Sequence, residues 1–257
     1  MTNSTTSDKE NKRKLKWWAI LFWLVIWQIA SVIIGQEILL VSPLSAIKRV
    51  GTLVIEAEFW RSIGFSVGRI LLGFFTAFFL GIFLGILSAN GKRIEELLYP
   101  IMQAIKSVPV ASFIILCLVW ISSKNLSVFI SFLMVLPIIY TNTLDGIRNV
   151  DRGILEMAHV FKIPFFKKIF YIYGSYVIPY IKTASSISLG MCWKAGIAAE
   201  VIGIPDGSIG EKLYLSKLYL NMEDLFAWTL MIVIISVLFE KLILGFIKLL
   251  QYEMERL

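Results

Sequence analysis

Long apolar runs alternate with short polar, mostly basic segments along nearly the whole chain. A helix rising 1.5 Å per residue crosses a hydrocarbon core of about 30 Å in roughly 20 residues. Six runs approach or exceed that length: Trp17 to Gly35, Ile63 to Ser88, Pro100 to Ile121, Leu126 to Leu144, Tyr176 to Ile202 and Leu225 to Leu249. None alternates apolar and polar residues as the strands of an outer-membrane barrel do. The pattern predicts an all-α, polytopic membrane protein with about six transmembrane helices. Residues 1–16 read as a disordered polar tail, 17–35 as a first helix that is retained, 36–62 as a loop with a surface helix, and 63–257 as a five-helix core. The polar insertion at 148–172 interrupts that core.

Within the insertion, Asp151 is placed to cap a helix whose apolar positions Ile154, Leu155, Ala158 and Phe161 recur at helical spacing. Pro164 is expected to end this helix, and a second apolar and basic turn, Phe165 to Phe170, follows. Such a helix is too polar to cross a bilayer and belongs at one membrane face. The second run carries Gly64, Gly68, Gly73, Gly81 and Gly85, spaced for close helix approach. Pro109 and Pro137 are expected to bend the third and fourth helices. In the fifth, Ser185, Ser186, Ser188, Gly190, Ala195, Gly196, Ala198 and Ala199 form a broad face of small residues, suited either to helix contact or to lining a passage. The loop from Pro205 to Asp224 reads as a compact rim.

Composition agrees: 58% of the 257 residues are hydrophobic, and the mean hydropathy is +0.78. The net charge of +7 is better explained by basic residues gathered on one membrane side than by nucleic-acid binding. With the N-terminus inside, the cytoplasmic segments hold Lys92, Arg93, Arg148, Arg152, Lys162, Lys167, Lys168 and Lys248 besides the basic tail. The outer segments keep only Lys48, Arg49, Arg61, Lys124, Lys212 and Lys217. Both termini and the 148–172 segment are therefore expected in the cytoplasm. Cys117 and Cys192 fall inside apolar runs and read as small buried hydrophobes.

Charges near the apolar zones are the candidate chemistry, since each costs about 2.5 to 3.5 kcal/mol at a helix centre. Lys182 can snorkel to headgroups, whereas Arg69 and Lys106 are open to a structural or a functional reading. Lys194, beside Trp193 and about 6 Å from the middle of its run, either faces an aqueous path with Ser188 or pairs with a group on a neighbouring helix. Serine–lysine enzyme chemistry is the alternative function, but Ser188 and Lys194 are not spaced to meet on one helix. A channel or proton-coupled carrier needs a midspan carboxylate, and none is read in these runs. A single histidine, His159, rules out H-E-x-x-H metal chemistry, no metal site is read, and no phosphate-binding loop of the G-x-x-x-x-G-K-[ST] kind is present. No catalytic residue is assigned.

Glu156-Met157-Ala158 at the insertion, with Pro179 downstream, resembles the E-A-A signature of the permease subunits of binding-protein-dependent ABC importers. Ser42-Pro43, SVGRILLGF from Ser66, LLYPIMQAIKSVPVASF from Leu97 and WKAGIAAEVIG from Trp193 are similar to the nitrate, sulfonate and taurine group, in family order. The resemblance implies a type I importer fold in a prokaryotic plasma membrane, working as a homodimer with two ATPase subunits and an extracytoplasmic solute-binding protein. ATP and magnesium would be bound by the ATPase, so no cofactor is expected in this chain. It also implies that Arg152, Leu155, Glu156, Met157, Ala158, Phe161 and Lys162 couple to the ATPase. Arg69, Lys106, Ser188, Trp193 and Lys194 are the candidates for the translocation path of a small solute, an anion such as a sulfonate or nitrate. The chain departs from the family at Met157, at Lys162 where a glycine is usual, and at Ser175. Lys162 is expected to prolong the coupling helix as far as Pro164.

Overall fold

The computed structural model describes residues 17–256, and the tail at 1–16 lies outside them. In chain order the helices are α1 (Trp17–Ile34), α2 (Pro43–Leu53), α3 (Ala57–Asn90), α4 (Lys92–Ser107), α5 (Val110–Cys117), α6 (Ser123–Arg148), α7 (Arg152–Val160) and the single turn α8 (Phe165–Lys167). A π turn (Lys168–Tyr173) leads without a break into α9 (Gly174–Gly203), followed by α10 (Ile209–Leu218) and α11 (Met222–Arg256). Among the described residues there is no strand.

Length and apolarity suffice for a membrane crossing in α1, α3, α6 and α11, while α4 and α5 meet that test only as a bent pair. The single bent helix expected over Pro100 to Ile121 is thereby corrected to two separate helices that meet at 103°. Pro109 has no N–H to offer, and the residue before a proline is pushed out of the helical region. Val108 duly sits at φ −80°, ψ 130°. Pro137, by contrast, leaves α6 continuous. At 30 residues, α9 is also long enough to cross. It is less apolar because its interior positions are small or polar, and neighbouring helices shelter them.

The core is the α3–α6–α9 seam. α3 and α6 run parallel with almost no space between them. A Cβ at Gly73 would stand 2.3 Å from the Val128 carbonyl, and one at Gly85 would stand 2.8 Å from Thr143 Cβ. α9 returns antiparallel, with Ser131 Oγ donating to the Cys192 carbonyl at 3.2 Å. On its small face, Ser185, Ser188, Ala195, Gly196 and Ala199 are buried, so this face serves helix contact and not a passage. α11 packs on α9, where Trp193 meets Phe239 and Ser186 Oγ donates to Glu240 Oε1 at 2.8 Å. Glu240 lies within the α11 span, which corrects the expectation of no midspan carboxylate.

At one end of the bundle, α2 and α10 cover the starts of α3 and α11 through the ion pairs Arg49–Asp224 and Glu58–Lys212. Ser42 caps α2 by accepting from the Ser45 N–H at 3.0 Å. The other end carries residues 149–172.

Candidate functional site

Residues 149–172 form a short helix held to the bundle on one side only. Asp151 caps α7, its Oδ1 accepting from the N–H groups of Gly153 (2.6 Å) and Ile154 (3.3 Å). The helix stops earlier than expected. Lys162 adopts φ +50°, the left-handed position that a glycine fills most easily. The Ile163 N–H then donates to the Ala158 carbonyl and the Lys162 N–H to that of His159, closing a Schellman turn. Lys162 therefore does what the family's glycine does and does not prolong the helix. The satisfied carbonyls and the Ile163–Ala158 apolar contact offset the strain of a side chain in that conformation.

The expected apolar face of α7 is also divided. Ala158 is buried with Val150 and Ile172, and Ile154 and Leu155 pack half-buried against this small cluster. These residues hold α7 to the bundle. Phe161 points away, 74% exposed, and forms a free ridge with Met157, Val160, Phe165 and Phe166. Arg152 and Glu156 are exposed beside it. The root of the segment is fixed by the two-pronged Arg148–Glu95 ion pair between α6 and α4.

The candidates for a path separate into two groups. Ser188 is fully buried, its hydroxyl donating to the Ser185 carbonyl, and Trp193 is 2% exposed within the core. Both are packed inside this chain. Ser188 is also not available to a serine–lysine pair, because Lys194 projects from the exposed side of α9. Lys106 is exposed at the end of α4, beside the 103° bend. Its neighbour Ile105 and the Lys194 neighbour Ala195 share one buried cluster, so both lysines border the same contact between the bend and α9. Arg69 is half-buried and committed locally, 4.2 Å over the Phe65 ring and 3.3 Å from Asn125 Oδ1.

The contacts of Glu200 were not legible in the sequence, which offered it only as a carboxylate for the alternative enzyme chemistry. Glu200 is fully buried, and its Oε2 accepts from Ser66 Oγ at 2.6 Å and from the Gly210 N–H at 3.3 Å. Ser66 Oγ in turn accepts from the Ile209 N–H at 2.9 Å. The start of α10 is thus fastened to α3 and α9 together. The approach is so close that a Cβ at Gly210 would fall 2.3 Å from Glu200 Cβ. Partners 134 positions apart leave no local signal of this contact.

A multi-pass helical bundle with a capped amphipathic helix projecting from one end is the architecture of a transport permease subunit. The chain belongs to the family of binding-protein-dependent transport system inner membrane components, whose model matches residues 77–256. It is 26% identical over 260 residues to the putative aliphatic sulfonates transport permease protein SsuC of Bacillus subtilis, covering 97% of this chain and 91% of that one. It is 28% identical over 194 residues to the nitrate import permease protein NrtB of Synechocystis, covering 72% and 70%. The taurine transport system permease protein TauC of Escherichia coli is 22% identical over 253 residues, covering 91% and 92%. The protein is accordingly a multi-pass component of the bacterial cell membrane, a permease subunit of an ABC importer and not an enzyme.

Proposed function

We propose that two copies of this chain form the membrane pathway of an importer for a small anion, with residues 149–172 on the cytoplasmic face. A separate ATPase would grip that face, and a solute-binding protein would dock at the α2 and α10 end. The single observation carrying this reading is the free ridge of Met157, Val160, Phe161, Phe165 and Phe166 on a helix whose other side is already anchored. An amphipathic helix with one face spare is suited to a groove on a soluble partner. Arg152 and Glu156 border the ridge, where charges set orientation more than affinity. Basic residues beside the spans support the cytoplasmic placement of this end and of both termini.

Lys106 and Lys194 are the two exposed cations bordering the bend, and in this reading they face the solute. An anionic solute agrees with the sulfonate, nitrate and taurine named for the relatives. Closure of the ATPases on their nucleotide would move α7, and the bundle would pass between inward- and outward-facing forms. The test is co-purification. Glu156→Lys and Phe161→Asp are expected to release the ATPase subunit while leaving the bundle folded by thermal melting. Retention of the ATPase and of uptake in both variants would overturn the assignment. For the path, Lys194→Glu is expected to abolish uptake of the anion that the partner binding protein captures, with ATPase binding intact.

A further inference from the structure

A groove of about 470 Å³ opens where the ends of α3 and α6 face the π turn and the start of α9. Its walls are apolar, with Ile82 and Ile86 from α3, Ile147 from α6 and Val177 from α9. Four polar residues stand among them: Lys168, Thr143, Tyr173, and Asn90, whose Nδ2 donates to the Ile86 carbonyl. Lys168, half-buried, lies at the groove with its ammonium 5.9 Å from the Tyr173 ring centroid. Thr143 also lines the groove, and its buried Oγ1 has no hydrogen-bond partner among the described residues.

The stretch that supplies the π turn and most of α9 is one-sided in charge, whereas α6 carries Asp145 between Thr143 and Ile147. Between Glu156 and Glu200 the chain has no Asp or Glu, while it carries Lys162, Lys167, Lys168, Lys182 and Lys194. None of the ion pairs among the described residues involves Lys168. The groove also continues the most apolar flank of α3, where Phe75, Phe79 and Phe83 are exposed. An occupant must therefore present a long hydrocarbon part to Ile82, Ile86 and Val177 and a negative charge to Lys168.

We propose that this groove binds one anionic phospholipid of the cytoplasmic leaflet, with an acyl chain between α3 and α9 and its phosphate at Lys168. Basic pockets between spanning helices on the cytoplasmic side are suited to such headgroups. The lipid would wedge the π turn, and with it the root of the coupling segment, against α3 and α6. The site rests on the cytoplasmic placement of this end but not on the ATPase contact, so the two readings can fail separately.

The test uses the full permease–ATPase complex in nanodiscs of equal parts phosphatidylglycerol and phosphatidylcholine, with p-benzoylphenylalanine incorporated at position 86. After irradiation, mass spectrometry is expected to find phosphatidylglycerol adducts in excess by about fivefold, the scale set by one lysine near an anionic surface. Lys168→Gln is expected to bring the two lipids to parity, Lys168→Arg to keep the excess, and Val177→Trp to reduce both adducts together. Equal labelling in the unmodified background would overturn the proposal, as would a preference that survives Lys168→Gln or is lost in Lys168→Arg. Adducts to a second copy of the chain or to the ATPase in place of lipid would also overturn it.

Discussion

The α3–α6–α9 seam and the 149–172 segment lie at opposite extremes of packing, although both are mostly helical. In the seam, small residues bring backbones together, and at Gly73, Gly85 and Gly196 there is no room for a methyl group. The coupling segment instead rests on three buried side chains and a few half-buried ones, with its remaining apolar surface free. Dense packing gives a body with one arrangement. A lightly anchored helix with an uncommitted face gives a handle that a partner can take hold of without unpacking the body.

The largest effect should come from overfilling the seam. Gly73→Leu places side-chain atoms where the Val128 carbonyl already stands, and is expected to abolish recovery of folded protein. Overpacking alone typically costs about 1 to 3 kcal/mol, and backbone displacement adds to that. Expression and size-exclusion profile check it, and a wild-type profile would contradict the geometry of the seam. Next comes the fastening of α10. Glu200→Ala leaves Ser66 and the Gly210 N–H without their acceptor, a cost of about 1 to 3 kcal/mol for each buried unsatisfied group. Thermal melting should fall clearly, and proteolysis should begin near α10; Glu200→Gln, which keeps an acceptor oxygen, should lose less. A smaller change of opposite sign is expected for Lys162→Gly. It relieves the left-handed strain but frees the unfolded chain, giving a net gain below about 1 kcal/mol. Hydrogen exchange in α7 should slow slightly in that variant. Glu95→Gln should do least to stability, since the Arg148–Glu95 pair is solvent-exposed. Its signature would be faster exchange confined to 149–172.

The same contrast marks what could be read from the amino acids. The spanning helices were legible because lipid imposes length and apolarity on every exposed residue. The break at Val108–Pro109 was legible as a bend but not as a 103° turn, since proline dictates that a helix stops and not where the chain goes next. The cap at Asp151 was visible because capping is local. The division of α7 was not, for Ile154, Leu155 and Phe161 are equally hydrophobic and only the position of the Val150 and Ile172 cluster tells them apart. Lys162 was misjudged because a non-glycine residue in the left-handed region depends on contacts that follow it. The small and polar positions on α9 left helix contact and a passage both open, because spacing alone does not say which neighbour covers a face; Ser188 and Trp193 are buried in contacts within the chain.

The turn α8, the π turn and α9 are contiguous from Phe165 to Gly203, with the coupling ridge near one end and Glu200 near the other. Such an element is about 58 Å long at an α-helical rise. Were it rigid across its π turn and Pro179, a tilt of about 5° at one end would sweep the other through about 5 Å, the span of one helical turn. Under the proposed function, a modest rocking at the 149–172 end would therefore be large enough to shift α10 at the other end of the bundle.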